Sequence, residues 1–276
     1  MGNGYAERGL GVGPDGKCYI TFMYQWVAYA VGGFGVDGKP LKGNYLKDVF
    51  PAGKEEEKKK YPVGMDSAII GPVPAGTANI RVDLKGNIYL GLYHRPKAMT
   101  FPKGYEKDQG YRVSVGSVMK FSPDGGSMPG DQGAATTETM NGSLTTYPGL
   151  APFSSSLEAF GNNTCCVCRV PRFDLDRFGR LAIPNAMTNT ILLYDNAGNL
   201  ILEFGKYGNF DSQYVNPNLA SEKKNMPTIA VPEIPLAWPT GAGFSEKSIY
   251  VLDTYARRAL RLINTYAIEE TCEVKK

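Results

Sequence analysis

Between Arg172 and Phe204 the chain alternates polar and apolar positions in short runs, and each run ends in a compact polar turn. Arg172-Phe173-Asp174-Leu175-Asp176 alternates residue by residue, Arg177-Phe178-Gly179 turns, and Arg180-Leu181-Ala182-Ile183 resumes the strand pattern, which predicts a hairpin. Thr190-Ile191-Leu192-Leu193-Tyr194 predicts a third strand, Asp195 to Asn199 a second turn, and Leu200 to Phe204 a fourth strand. Glycine at each turn tip permits a positive φ, and the neighbouring Asp or Asn can hydrogen-bond its own backbone. The stretch Cys165 to Asn209 therefore reads as one unit of four short strands in about forty residues.

The same order of features recurs in looser form along the chain. One copy runs over about 9–41, with a Pro14-Asp15-Gly16 turn and strands around Lys17 to Phe22 and Ala28 to Phe34. Another covers about 78–125, with strands Ala78 to Asp83, Ile88 to Tyr93 and Gly116 to Phe121 interrupted by an insertion holding His94, Pro96 and Pro102. The clearest copy is about 170–205, and a last one covers about 239–270, with strands at Gly241 to Phe244, Ser248 to Asp253, Ala256 to Leu262 and Tyr266 to Ile268. Long loops are expected at 42–75, 127–163 and 210–235, with 127–163 as a cap over one face. The expectation is an all-β single domain over 1–276, a β-propeller of four-stranded blades with four recognisable copies and degenerate or missing blades in addition.

Composition supports many strands and turns: 276 residues hold 33 Gly, 19 Pro and 17 Tyr. The formal net charge of +3 and the lack of an arginine-rich arm give no support to nucleic-acid binding. The run Lys54 to Lys60 carries both signs and reads as a solvated surface. No stretch reaches the roughly 18 uninterrupted apolar residues of a membrane span, and residues 1–11 lack the basic and apolar regions of a secretory signal. The chain is then either cytosolic or a mature or truncated form of a longer protein.

Candidate chemistry is sparse. Cys165, Cys166, Cys168 and Cys272 admit a disulfide from the cluster to the chain's end, a tetrahedral zinc site, or free thiols. A disulfide would imply an oxidising compartment, and Arg169 stands where covalent haem attachment needs histidine. His94 is the single histidine, set between an aromatic strand and Arg95-Pro96. Asp83, Asp174, Asp176 and Asp253 lie at strand ends, where Asp stabilises a turn or joins a metal-binding carboxylate group. Arg169, Arg172, Arg257 and Arg258 could face an anionic ligand or serve repeat-to-repeat hydrogen bonding. Trp26 and Trp238 read as core or inter-blade residues, and Asn141-Gly142-Ser143 fits a glycosylation acceptor. Nucleophile-elbow, zinc-protease, phosphate-loop and dinucleotide signatures are missing.

The pattern of strand, Asp-x-x-Gly-x turn and Ile-Tyr-Val-type strand resembles NHL-repeat β-propellers, most closely at Phe173 to Gly205 and Pro239 to Leu262. Ile80 to Gly125 matches with an insertion and Gly9 to Leu41 more weakly, so the resemblance covers roughly half the chain. The string from the cysteines through FDLDRFGRL, YDNAGN and FGKYGN to PLAWPTG also looks like bacterial propeller domains at the ends of larger exported proteins. That resemblance, with the cysteines, implies an extracellular or periplasmic location, and the NHL resemblance implies a ring that usually closes with six blades. Among propeller enzymes that it resembles, amidating lyases bind metal through several histidines, of which this chain has His94 alone. Lactonase-like propellers hold a divalent metal, calcium or zinc, among Glu, Asn and Asp at the central mouth. RNA-binding members carry a basic face that the charge balance here does not provide.

The leading expectation is a non-enzymatic protein-binding or assembly module whose loops or blade edges hold another protein, another part of a larger chain, or an oligomeric partner. The alternatives are a metal-dependent lactonase or lyase with carboxylates at the central mouth, and a cysteine-based redox or metal site.

Overall fold

A five-residue turn organises the structure. In Gly13–Lys17, Gly35–Lys39, Asp83–Asn87, Asp176–Arg180 and Asp195–Asn199, the N–H of the first residue bonds the carbonyl of the fifth, and a glycine in fourth place donates back to the first carbonyl. That glycine must hold a positive φ, between 77° and 98° in the five turns, where a side chain is disfavoured. An Asp in first place then accepts the N–H groups of the third and fifth residues, as Asp195 does from Ala197 and Asn199 at 2.9 Å. Where Asp stands third it takes the fifth N–H, and hydrogen bonds hold its carboxyl below the usual range, chiefly from the Lys17 ammonium at Asp15 and from the Lys39 backbone N–H, then its ammonium, at Asp37.

The computed structural model describes residues 9–24, 28–42, 68–73, 77–93, 101–127, 140–153, 171–208 and 232–265. A first sheet holds β1 (Leu10–Val12), β2 (Cys18–Tyr24), β3 (Ala28–Phe34) and β4 (Ala68–Val73), in that order. The second holds β5 (Thr77–Val82), β6 (Ile88–Leu92), β7 (Gly116–Phe121) and β8 (Ser143–Leu150), with the short helix α1 (Gln109–Ser114) inserted before β7. The third runs β9 (Asp174–Leu175), β10 (Leu181–Asn185), β11 (Thr190–Tyr194) and β12 (Leu200–Phe204). After a small parallel pair, β13 (Lys206–Tyr207) and β14 (Pro235–Leu236), the last sheet has β15 (Pro239–Phe244), β16 (Ser248–Asp253) and β17 (Arg258–Ile263). The chain is thus all-β, with successive antiparallel meanders in a propeller-like arrangement.

Successive sheets bury facing surfaces against one another, and three apolar layers result. Between the first two sheets lie Tyr19, Val31 and Ile70 on one side and Ile80, Leu90 and Met119 on the other. Between the second and third, Tyr89, Val118 and Tyr147 meet Leu181, Ile183 and Tyr194. Between the third and last, Ala182, Ile191 and Leu193 meet Ile249 and Val251. Strands β6, β10 and β11 are buried on both faces, which explains the unbroken apolar runs at 88–92, 181–184 and 191–194 where an outer strand alternates.

Two segments differ from the sequence reading. Ala68–Val73, placed there in the 42–75 loop, is the fourth strand of the first sheet and pairs with β3. Ser143–Leu150, placed in the 127–163 loop, is the fourth strand of the second sheet and pairs with β7 along its length. The first copy therefore extends past residue 41 and the second past residue 125. Gly-Pro interruptions in both strands, Gly71-Pro72 and Pro148-Gly149, read as breaks in sequence. Long-range pairing tolerates them, since both strands lie at sheet edges. The third copy has its four strands where the alternation puts them. The strand expected at Tyr266 to Ile268 lies outside the described residues.

Candidate functional site

The inner strands of the second, third and last sheets meet in a polar cluster. Successive inner strands are neighbours: Arg172 beside β9 forms a parallel bridge with Gly241 of β15, and Gly9 and Gly11 beside and in β1 are so close to Ile80 of β5 that a Cβ at either would collide. Glycine is required there by the approach of one backbone to another element. On β5, a register shift at Asn79 gives that residue a φ of 29° and turns its side chain toward the third sheet. Its Nδ2 donates to the Phe173 carbonyl at 2.7 Å, and its Oδ1 accepts from Arg81 Nη1 at 3.0 Å. Arg81 Nε donates to Asp174 Oδ1 at 2.6 Å, and Asp174 Oδ2 accepts the Phe244 N–H at 2.8 Å. One carboxylate thus links three sheets.

The remaining described candidates do not converge on it. Asp83 accepts the Lys85 and Asn87 N–H groups at 2.9 Å, the Asn87 amide at 2.8 Å and the Tyr89 hydroxyl at 3.3 Å, so both its oxygens are engaged in the turn. Asp176 is held likewise by Phe178 and Arg180 N–H groups and by Arg180 Nε at 2.7 Å. Beside it a cleft of about 200 Å³ opens between this turn and the one after β15, lined by Leu175, Asp176, Phe178, Arg180 and Phe244. The Phe178 ring lies under the guanidinium groups of Arg177 and Arg180. Asp253 is fully buried and accepts the Ala237 and Trp238 N–H groups at 3.0 and 2.8 Å and Arg258 Nη2 at 3.0 Å. Arg258 also donates to the Pro235 carbonyl. Of the two roles open to Arg258 in the sequence, hydrogen bonding within the fold is the one seen: its side chain is turned inward onto a buried carboxylate. The backbone of Arg172 is bonded to Thr240 and Ala242, and the residue is exposed.

Cys165, Cys166, Cys168, Cys272, His94, Arg169 and Trp26 lie outside the described residues. Cys18 is a half-buried free thiol. Among the described residues no three His, Cys, Asp or Glu side chains are placed to hold a metal ion, and no helix is long and apolar enough to cross a membrane. Trp238 is half-buried at the entrance to the last sheet with its ring 5.2 Å from that of Tyr255. Asn141 is exposed just before β8.

Sequence reasoning passed over Asn79 and Arg81. Their signal was the polar pair flanking Ile80 on an inner strand, which reads as ordinary alternation until the third sheet is set beside it.

No protein-family model and no curated protein matches the chain. Solved structures resemble it at low similarity. A protein of unknown function from Bacteroides caccae is 10% identical with a TM-score of 0.37, over 96% of this chain and 62% of that one. A streptogramin B lyase is 10% identical with a TM-score of 0.41, over 96% of this chain and 53% of that one. A chain of a nidogen/laminin complex is 12% identical with a TM-score of 0.39, over 93% of this chain and 75% of that one. The chain spans between half and two thirds of the length of the first two. One of the three is an enzyme and one belongs to a protein–protein complex, and likeness at this level does not choose between catalysis and binding.

Proposed function

We propose that the chain is a protein-binding or assembly module on an NHL-like β-propeller scaffold, and that its contact surface is the outward face of the last sheet. The supporting observation is a contrast in burial at one repeated position. Two residues beyond the fifth residue of the turn, Tyr19 and Tyr89 are 3% and 0% exposed because the next sheet covers them. Tyr250, which follows Ile249 as Tyr89 follows Ile88, is 41% exposed, and Leu252 beside it is 51% exposed. Tyr250 and Leu252 stand on this outward face with Ala259, Ile263 and Arg261, while Ile249, Val251, Leu260 and Leu262 pack toward the third sheet. Carboxylates committed to turns and inter-sheet links agree with a scaffold role for Asp83, Asp174, Asp176 and Asp253.

The test is thiol labelling of a Leu252→Cys variant, read by mass spectrometry of the peptide that carries it. The expected result is fast labelling in dilute purified protein and at least about tenfold slower labelling when the face is engaged, either in the source extract or in concentrated purified protein. Equal labelling in all three settings would overturn the reading.

A further inference from the structure

Met140 to Ser143 forms a turn at the entrance to β8, closed by the Ser143 N–H donating to the Met140 carbonyl at 3.3 Å. Gly142 holds a φ of 79°, as the third residue of a type II turn does. A Cβ there would also lie 2.6 Å from the Gly125 carbonyl oxygen, so the fold requires glycine at this position on two counts. The residue before it is Asn141, and both are exposed. Asn is followed directly by Gly at 3–4 and 141–142 of the sequence, and the second pair lies in the described residues.

Other asparagines in turns are held. The Asn87 and Asn199 amides donate to Asp83 and Asp195 at 2.8 Å, and the side chains of Ile88 and Leu200 screen the backbone nitrogens that follow them. Asn196 is followed by Ala197, whose N–H is bonded to Asp195 Oδ1 at 2.9 Å. Neither restraint applies at Asn141: among the described residues no hydrogen bond holds its side-chain amide or the Gly142 N–H.

We propose that Asn141 is a site of spontaneous deamidation through its own backbone, and that the change loosens the tie between the first two sheets. The Gly142 nitrogen forms a bond to Asn141 Cγ, the amide nitrogen leaves as ammonia with the Gly142 proton, and a five-membered succinimide closes. Water then cleaves one of the two ring C–N bonds, giving either aspartate or an isoaspartate whose main chain runs through the side-chain carbons. Water is the only co-reactant. Asn141 donates its N–H to the Ser127 carbonyl at 2.7 Å and accepts the Ser127 N–H at 3.0 Å. Gly126, beside Ser127, donates to the Ile69 carbonyl at 3.1 Å and accepts the Gly71 N–H at 2.8 Å, which fastens β4 to the second sheet. Isoaspartate lengthens the main chain between the two groups that bond Ser127, so both bonds cannot be kept in register.

Peptide mapping by mass spectrometry tests this on the purified, unglycosylated chain, held folded in mildly alkaline buffer and sampled over days. The expected result is amide-to-acid conversion at Asn141 at least about tenfold faster than at Asn87, Asn196 or Asn199 in the same sample. The converted peptide should accept methyl groups from an isoaspartyl methyltransferase. Asn141→Gln, whose longer side chain disfavours the ring, should lose both signals, and the comparison among asparagines of the parent chain decides the matter if that variant fails to fold. Conversion at Asn141 no faster than at Asn199 overturns the inference. So does conversion without isoaspartate, the mark of direct hydrolysis. Hydrogen exchange reads the tie between the sheets: the 125–127 amides of the converted chain should exchange at least about tenfold faster than in fresh protein, and equal exchange overturns the link from modification to loosening.

Discussion

Arg81 on β5 and Asp174 on β9 are joined at 2.6 Å, and the second oxygen of that same carboxylate takes the backbone N–H of Phe244 on β15. Three inner strands from different parts of the chain are thereby held by one side chain. The bond is charge-assisted, and Asp174 is 19% exposed, so it is stronger than a surface pair.

Asp174→Ala removes both contacts and leaves the Arg81 guanidinium and the Phe244 N–H to find other partners. A loss of about 1–3 kcal/mol is expected, seen as a lower urea midpoint at unchanged slope. In a double-mutant cycle with Arg81→Ala, the coupling should be about 0.5–3 kcal/mol. Simple additivity would show that the two residues do not act together.

Asp253 and Arg258 form the most buried ion pair among the described salt bridges, at 0% and 17% side-chain exposure. Asp253→Ala removes the buried carboxylate that bonds the Arg258 guanidinium and two backbone N–H groups and should cost about 3–5 kcal/mol. The double change Asp253→Leu with Arg258→Met should recover part of that loss, measured by thermal melting. A single variant as stable as the parent would contradict a pairing role.

Gly125 and Gly38 hold positive φ values of 80° and 77°. A Cβ at Gly38 meets nothing within 4 Å, whereas one at Gly125 would overlap the Ile69 carbonyl that accepts the Gly126 N–H. Gly38→Ala should therefore cost only the left-handed penalty of about 1–2 kcal/mol. Gly125→Ala should cost about 3 kcal/mol or more and separate the second sheet's turn from β4. Melting temperatures of the two variants compare them directly, and equal losses would argue against the close approach.

Burial pushes the hydroxyls of Tyr111, Tyr147 and Tyr194 up to about 12, and that of Tyr89 further. The unfolded chain releases these protons near pH ~10. Below that pH the tyrosine contribution is intact. Between about 10 and about 12 the unfolded state binds fewer protons, so stability falls as pH rises, by up to about 1.4 kcal/mol per tyrosine per pH unit. Urea midpoints across this window, with phenolate absorbance as the titration readout, check the sign. Native-state ionisation of all tyrosines near pH ~10 would refute it.

The turns were legible because their chemistry is local. Asp176 with Gly179 and Asp195 with Gly198 carry their own hydrogen-bond acceptor and their own permissive φ, and the strands between them follow from alternation. The all-β meander and the whole third sheet follow from such short-range signals. Ala68–Val73 and Ser143–Leu150 were not legible, because a strand that pairs with an element many residues away need carry no turn of its own, and a proline at a sheet edge costs little. Arg81, Asp174 and Phe244 belong to the same class. Arg81 and Phe244 look like ordinary strand residues in sequence, Asp174 stands out there only as a strand-end carboxylate, and their meeting depends on how the sheets stack.

Tyr250 marks the division most plainly. The local code writes Ile249-Tyr250-Val251 as it writes Ile88-Tyr89-Leu90, and strand, register and facing follow from residues within reach of one another along the chain. Whether the tyrosine is buried depends on the presence of a neighbouring sheet. Burial is a property of contacts between distant segments, and the pattern along a single strand does not contain it.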